Sequence, residues 1–148
     1  MMRIEGEAAM ARAGAKLGKA LTVGDVVLLS GELGAGKTTF ARGVLAGLGF
    51  AGDAPSPSFA ILLPYFPPQV RLPIAHVDLY RIDDPAEIAE LGIEEWRDDG
   101  ALLIEWPERL GGLGWPNALS IRIDGAGDRQ RGLTADIPPA WEARWPFR

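Results

Sequence analysis

The stretch VVLLSGELGAGKTTFARGVL, residues 26–45, decides the fold of this chain. Its first four residues form an apolar run that is typical of a strand buried on both faces. Residues 31–38 then fit the pattern G-x-x-x-x-G-K-[ST], and the residues that follow have helical spacing. A strand before this glycine-rich loop and a helix after it are the setting in which the pattern binds phosphate. The stretch therefore predicts a nucleotide phosphate-binding loop.

The residue types of the loop suit a polyphosphate. Its glycines have no Cβ, so the backbone N–H groups can approach phosphate oxygens closely. The helix predicted to open at Lys37 directs the positive end of its dipole at the same anion. Lys37 supplies a charge for the β- and γ-phosphates, and the Thr38 hydroxyl is a ligand for Mg²⁺. The loop residues predicted to bind the nucleotide are Gly34, Ala35, Gly36, Lys37, Thr38 and Thr39.

Length, composition and charge limit the classes of function. The chain has 148 residues, which predicts a single domain over 1–148 with its core at about 5–137 and a C-terminal tail at 138–148. Cysteine is absent, which excludes a disulfide framework and thiolate metal sites. The net charge of −5, with only three lysines, argues against autonomous nucleic-acid binding. We see neither a secretory signal nor a membrane-length apolar run, and therefore expect a cytoplasmic protein.

The remaining segments predict strands mixed with helices. A helix over 5–21 has a thin apolar stripe, and we expect it to pack at the sheet edge near the nucleotide rather than in the core. The segments 59–63 and 74–80 read as an antiparallel hairpin, and the tail suits a short helix carrying Trp141 and Trp145. Further strands are predicted at 101–104, 119–123 and 133–137. The predicted fold is therefore α/β, a three-layer P-loop NTPase-type fold with a mixed central sheet.

Two acidic residues are candidates to face the phosphate-binding loop. Glu105 directly follows the apolar run ALLI, at the end of a strand where ligands bind in open α/β sheets. Asp78 lies in HVDLYR, in or at the end of the 74–80 strand. A P-loop enzyme needs such an acid to hold Mg²⁺ and orient the attacking group. A structural link with neighbouring side chains is the alternative for Asp78. His76 is expected to pack or to form a hydrogen bond, and Ser58 either senses the γ-phosphate or caps a turn.

Five segments in a fixed order resemble one family. They are GELGAGKTTFARG, SPSF, HVDLYR, LGIEEW and IEWPER. In this order and at this spacing they resemble the TsaE (YjeE) family, over about residues 5–135. The phosphate loop alone is unspecific, whereas HVDLYR and IEWPER joined to it are close to diagnostic.

The resemblance implies an activity and partners. The TsaE family is the small ATPase of the bacterial machinery that makes N6-threonylcarbamoyladenosine in tRNA, at adenosine 37. The implied ligands are ATP and Mg²⁺. The implied partners are a TsaD-like threonylcarbamoyl transferase and a TsaB-like scaffold, with tRNA engaged only indirectly and no membrane. Family members hydrolyse ATP weakly when alone.

The resemblance also implies roles for individual residues. Lys37 and Thr38 correspond to the phosphate and Mg²⁺ ligands, Glu105 to the metal acid, and Asp78 to the functional HxDLYR acid. Further nucleotide contacts match Met10 in the first helix and Arg129 near the C-terminal turn. The family commonly has threonine at the first of these positions, so only the backbone of Met10 can substitute there.

Two other classes of protein remain as alternatives. A small-molecule P-loop kinase shares the loop, but it usually has a mobile lid with several arginines, and residues 111–114 contain none. A GTPase switch is the second alternative, since Asp124–Gly127 formally fits D-x-x-G. That segment comes after the other motifs, and the guanine signature N-K-x-D is absent.

Overall fold

A computed structural model describes residues 2–57, 60–111 and 114–147. In this part of the chain, seven strands form one mixed sheet in the order β1-β7-β6-β2-β5-β4-β3. The strands are β1 Met2–Glu5, β2 Val26–Ser30, β3 Leu62–Tyr65, β4 Ile74–Asp78, β5 Ala101–Glu105, β6 Leu119–Asp124 and β7 Gln130–Asp136. The helices are α1 Gly6–Ala20, α2 Lys37–Gly47, α3 Ala86–Glu90, α4 Trp96–Asp99 and α5 Pro139–Glu142, with 3₁₀ turns at Ile93–Glu95 and Pro107–Leu110.

The centre of the sheet is parallel and its edges are antiparallel. Strand β2 pairs in parallel with both β5 and β6, and β5 pairs in parallel with β4. Strands β3, β7 and β1 are antiparallel to their neighbours. The predicted mixed sheet is therefore confirmed, and so is the hairpin, in which Leu62 of β3 pairs with Val77 of β4.

Both faces of the central strands are buried. Along β5, Leu103 belongs to the apolar cluster under α1 and α2, whereas Leu102 and Ile104 belong to a second cluster under α3 and its neighbouring short helices. This alternation explains why the central strands read as continuous apolar runs. Helices, sheet and helices form the predicted three layers.

The expectation that α1 contributes little to the core is wrong. Its residues Met10 and Leu17 are buried in the same cluster as α2. The helices meet through glycine: a Cβ on Gly14 would lie 2.1 Å from the carbonyl oxygen of Phe40, and a Cβ on Gly43 would lie 2.2 Å from that of Ala11. Because the two backbones touch, a thin apolar stripe is sufficient to bury α1.

The ends of the chain also close on the body. Strand β1, which the sequence analysis did not predict, pairs with β7 and buries Ile4. In the tail, Trp141 is fully buried in α5, while Trp145 lies beyond the end of that helix. Arg144 stacks on Trp141 with its Cζ 3.7 Å from the ring centroid. None of the helices in the described residues has the length and apolarity needed to cross a lipid bilayer.

Candidate functional site

The loop between β2 and α2 has a conformation that only glycine adopts without strain. Gly31 has φ = 144°, and a Cβ there would lie 2.3 Å from the carbonyl oxygen of Ile123. Gly36 has φ = 109° and precedes the first residue of α2. The loop therefore curls tightly against the sheet, and Gly34 and Gly36 bring its backbone to the wall of the site.

The Lys37 side chain is folded under this loop. Its Nζ donates hydrogen bonds to the carbonyl oxygens of Gly31, at 2.6 Å, and Glu32, at 2.8 Å. The same nitrogen lies 4.2 Å from the ring centroid of Trp106. These contacts fix the ammonium group at the mouth of the loop, where the sequence predicts a polyphosphate.

Burial and nearby carboxylates shift the pKa of Lys37 in opposite directions. Desolvation lowers the pKa of Lys37 below its usual 10.5, and the carboxylates of Glu105, Glu108 and Asp78 partly offset this effect. Lys37 is only 5% exposed. A phosphate at this position would add further negative charge beside an ammonium group that has lost most of its water.

Glu105 faces α2 from the end of β5, as the sequence analysis predicted. The Thr38 hydroxyl donates to Glu105 Oε1 at 3.1 Å, and the other carboxylate oxygen, Oε2, lies 2.6 Å from His76 Nε2. Glu105 is 2% exposed. The two residues predicted to bind Mg²⁺ are therefore in direct contact.

Asp78 stands beside Glu105 across the parallel pair β4–β5, because the two residues are partners in the strand register. Its Oδ1 accepts a hydrogen bond from the backbone N–H of Tyr80 at 2.9 Å. The structural link considered for Asp78 is thus present. Asp78 also lines the cavity described next, so that link does not remove it from the site.

A cavity of about 620 Å³ opens in front of the loop, a size within the range of small-ligand sites. Lys37, Thr38, Thr39, Asp78 and Glu105 line it, together with Gly34 and Gly36. Ala35 does not: it is buried, and its N–H donates to the carbonyl oxygen of Glu32 at 3.1 Å.

The far side of the cavity combines α1 with the β6–β7 turn. Met10 and Arg129 both line it, and Arg129 forms an ion pair with Glu5 at 3.2 Å. Met10 is nonetheless a core residue, 3% exposed. Arg131, which the sequence analysis did not select, also lines the cavity and donates from Nη1 to the carbonyl oxygen of Gly34 at 2.8 Å.

Trp106 also lines the cavity, although the sequence analysis did not select it. Its left-handed backbone, φ = 60°, ends β5 and turns the ring over Lys37. The ring also packs on Tyr80 with centroids 4.8 Å apart. A non-glycine residue at positive φ is uncommon, and here it covers the ammonium group. Ser58, the candidate γ-phosphate sensor, lies outside the described residues.

The residues present fit a magnesium nucleotide. A Cβ on Gly34 would meet no atom of the described residues within 4 Å, so among these residues the loop tip is open to a ligand. Thr38, Glu105 and Asp78 offer oxygen ligands of the kind that Mg²⁺ prefers. Within residues 2–57, 60–111 and 114–147, no group of three or more His, Cys, Asp or Glu is placed to hold a metal. Mg²⁺ usually takes several of its ligands from phosphate and water, so a complete set of protein ligands is not required for it.

A buried parallel strand, a glycine loop, a helix and a facing strand-end acid define a P-loop NTPase-type α/β protein. Residues 4–133 match the family model described as threonylcarbamoyl adenosine biosynthesis protein TsaE. The chain therefore belongs to the TsaE family.

Individual relatives agree with this assignment. The chain is 40% identical over 112 residues to a Bacillus subtilis protein named tRNA threonylcarbamoyladenosine biosynthesis protein TsaE, covering 75% of this chain and 68% of the relative. It is 39% identical over 128 residues to a Streptomyces coelicolor protein of the same name, covering 86% and 84%. The crystal structure of Bacillus subtilis YdiB superimposes with a TM-score of 0.78 at 33% identity, covering 97% of this chain and 89% of YdiB.

Proposed function

We propose that this protein is a Mg²⁺-dependent ATPase that acts with TsaD-like and TsaB-like partners in forming N6-threonylcarbamoyladenosine at adenosine 37 of tRNA. Membership of the TsaE family supports the pathway, since relatives carry the name of a threonylcarbamoyladenosine biosynthesis protein. The acidic balance, −5, favours docking onto proteins over gripping RNA, so tRNA is engaged indirectly, in the cytoplasm.

One observation carries the enzymatic part of the proposal. The Thr38 hydroxyl of the phosphate loop and the Glu105 carboxylate meet at 3.1 Å, inside the cavity that the loop borders. A hydroxyl at the start of α2 and an acid at the end of β5 are far apart in sequence, and only the sheet brings them together. This juxtaposition is the arrangement that phosphoryl transfer requires for its metal.

The residues then have distinct tasks. The backbone of Gly34 and of residues 36–39, together with the Lys37 ammonium group, binds the phosphates, while Thr38 and Glu105 hold Mg²⁺. The metal, when bound, neutralises charge that develops on the transferred phosphoryl group. Asp78 accepts a hydrogen bond from the attacking water and orients it. Backbone at Met10 and the Arg129 guanidinium contact the nucleoside end of the ligand.

Paired variants test these tasks in the purified protein. Lys37→Ala should weaken ATP binding by about 100-fold or more, because a charge-assisted contact is lost. Glu105→Ala should keep ATP binding and lose Mg²⁺-dependent phosphate release. Lys19→Ala and Glu90→Ala alter exposed residues outside the cavity and serve as matched controls. An unchanged hydrolysis rate in Glu105→Ala would remove this residue from the metal role.

A second experiment tests the partners. The tagged wild-type chain is incubated in native lysate with ATP and Mg²⁺, and the bound proteins are identified. Recovery of a threonylcarbamoyl transferase subunit is expected, and Lys37→Ala should recover less of it. If the transferase subunit is absent with every nucleotide tried, while ATP hydrolysis is intact, the ATPase would stand and the proposed pathway role would fall.

A further inference from the structure

His76 lies beneath the candidate metal site, on the same face of the sheet as Glu105. Side chains alternate along β4, so His76 shares the α2-facing side with Ile74 and Asp78. His76 pairs with Leu103 and Asp78 with Glu105, which makes His76 and Glu105 diagonal neighbours across the β4–β5 pair. This geometry brings Nε2 to 2.6 Å from Glu105 Oε2.

Burying the imidazole of His76 costs free energy. Its side chain is fully buried, and its Nδ1 has no hydrogen-bond partner among the described residues. Burying a polar ring with one nitrogen unsatisfied is unfavourable, and a buried polar pair is often replaced by apolar residues without loss of stability. Packing alone therefore does not explain a histidine at this position. Its contact with Glu105 is the explanation that remains.

The two oxygens of Glu105 have separate partners. A carboxylate only accepts hydrogen bonds, so His76 Nε2 is the donor to Oε2. Oε1 in turn accepts from the Thr38 hydroxyl at 3.1 Å. With Oε2 held from below, the carboxylate cannot rotate freely, and Oε1 is directed at the start of α2.

We propose that His76 is a positioning residue, which fixes Glu105 so that its Oε1 faces the Mg²⁺ side of the phosphate loop. The inference rests on the proposed function, because it assigns the oxygen of Glu105 that serves the metal. His76 itself touches neither nucleotide nor metal. Its effect should therefore show only in properties that depend on Mg²⁺.

Nitrogen NMR of the wild-type chain gives the first test. His76 is the only histidine, so its ring signals need no assignment by mutation. The proposal requires a proton on Nε2, with a shift that changes in Glu105→Gln. A ring whose Nε2 carries no proton would overturn the proposal without any His76 variant having to fold.

Two variants of matched length give the second test. His76→Gln keeps an N–H donor near the position of Nε2, whereas His76→Met fills similar space without a donor. The readout is the affinity for a non-hydrolysable ATP analogue, titrated at increasing Mg²⁺ and again in EDTA. Thermal unfolding of each variant accompanies the titrations.

His76→Met should raise the Mg²⁺ concentration needed for half-maximal tightening by about 10- to 100-fold, the effect typical of residues that orient a metal ligand. Affinity in EDTA should be unchanged, and His76→Gln should restore most of the Mg²⁺ effect. In a Glu105→Gln background, His76→Met should add little further change.

The outcomes separate the two proposals. If wild type shows an Mg²⁺ effect that survives in His76→Met, the role of His76 is overturned while the proposed function stands. Equal loss of affinity with and without Mg²⁺ would also overturn it, since that pattern reports disturbed packing. If wild type itself lacks any Mg²⁺ effect, the proposed function fails, and the role of His76 fails with it.

Discussion

Replacing Gly43 by alanine tests the helix contact on which the position of the phosphate loop depends. A Cβ there would lie 2.2 Å from the Ala11 carbonyl oxygen, and Gly14, Gly18 and Gly47 make equivalent approaches to the facing backbone, all at 2.1–2.2 Å. A backbone carbonyl inside a helix cannot turn aside as a side chain can. The two helices must therefore separate locally by about 1 Å to admit the methyl group.

The expected loss of stability in Gly43→Ala is the difference between two opposing effects. Overpacking a close contact costs about 1–3 kcal/mol, and the upper end applies here because backbone is displaced. Alanine recovers about 1 kcal/mol through its better helix propensity. We expect the free energy of unfolding to fall by about 2 kcal/mol, and Tm by roughly 5–8 °C for a chain of this size.

The same displacement should weaken nucleotide binding. Helix α2 begins at Lys37, and Met10 on α1 packs against the loop, since its Cε would lie 3.2 Å from a Cβ on Gly36. Moving α1 away from α2 therefore disturbs both walls of the cavity. Affinity for ADP should fall together with stability.

Urea unfolding and ADP titration of Gly43→Ala measure both effects. Gly114→Ala is the control, because a Cβ at Gly114 would meet no atom of the described residues within 4 Å. The control should change stability by no more than about 0.5 kcal/mol. An unfolding free energy for Gly43→Ala equal to that of wild type would refute the idea that backbone contact holds α1 on α2.

Three further predictions concern charged groups. Burial lowers the pKa of Lys37 below 10.5, so just below pH 10.5 the unfolded chain binds more protons than the folded chain. The stability of wild type relative to Lys37→Met should therefore rise as the pH approaches 10.5, as measured by urea unfolding. Arg144 donates to both carboxylate oxygens of Asp25 at 2.7 and 2.6 Å. Arg144→Lys should therefore lower Tm, at a cost of about 1–2 kcal/mol, with ADP affinity unchanged, while Arg122→Lys in an exposed pair should cost less than about 0.5 kcal/mol. Arg131→Gln should weaken ADP binding about 3- to 10-fold in a fluorescence titration, because it frees the Gly34 carbonyl from a charged donor.

The parts of the site that were predictable from sequence are those with a local signature. The spacing of Gly31, Gly36 and Lys37 requires a strand, a curled loop and a helix, and the structure has all three. Glu105 could be predicted because it follows an apolar run that only a buried strand explains. Its orientation toward the loop followed from the rule that ligands bind at the carboxyl ends of parallel strands.

The parts that were missed depend on contacts between distant segments. Arg131 reaches the loop from β7, about a hundred residues later in the chain, and nothing in its immediate neighbours marks it. Trp106 needs a left-handed backbone, for which an aromatic side chain gives no signal. Strand β1 is four residues long and shows too little alternation to be seen. In the sequence, Gly14 and Gly43 indicate only poor helix propensity. The close approach of α1 and α2 that they permit is visible only once both helices are placed together.

The geometry of the site therefore depends on the register of the sheet. Val26 pairs with Leu102 and Asp78 pairs with Glu105, and these pairings set the height of the acids relative to the loop. A slip of one residue in β5 would turn Glu105 to the opposite face and break its contacts with both Thr38 and His76. The same slip would direct the Glu105 carboxylate into the apolar cluster that contains Leu102 and Ile104, where a charge without a partner is costly to bury. The free energy that holds the register therefore also holds the carboxylate. For this reason variants that loosen the central strands should reduce Mg²⁺-dependent properties before they unfold the protein.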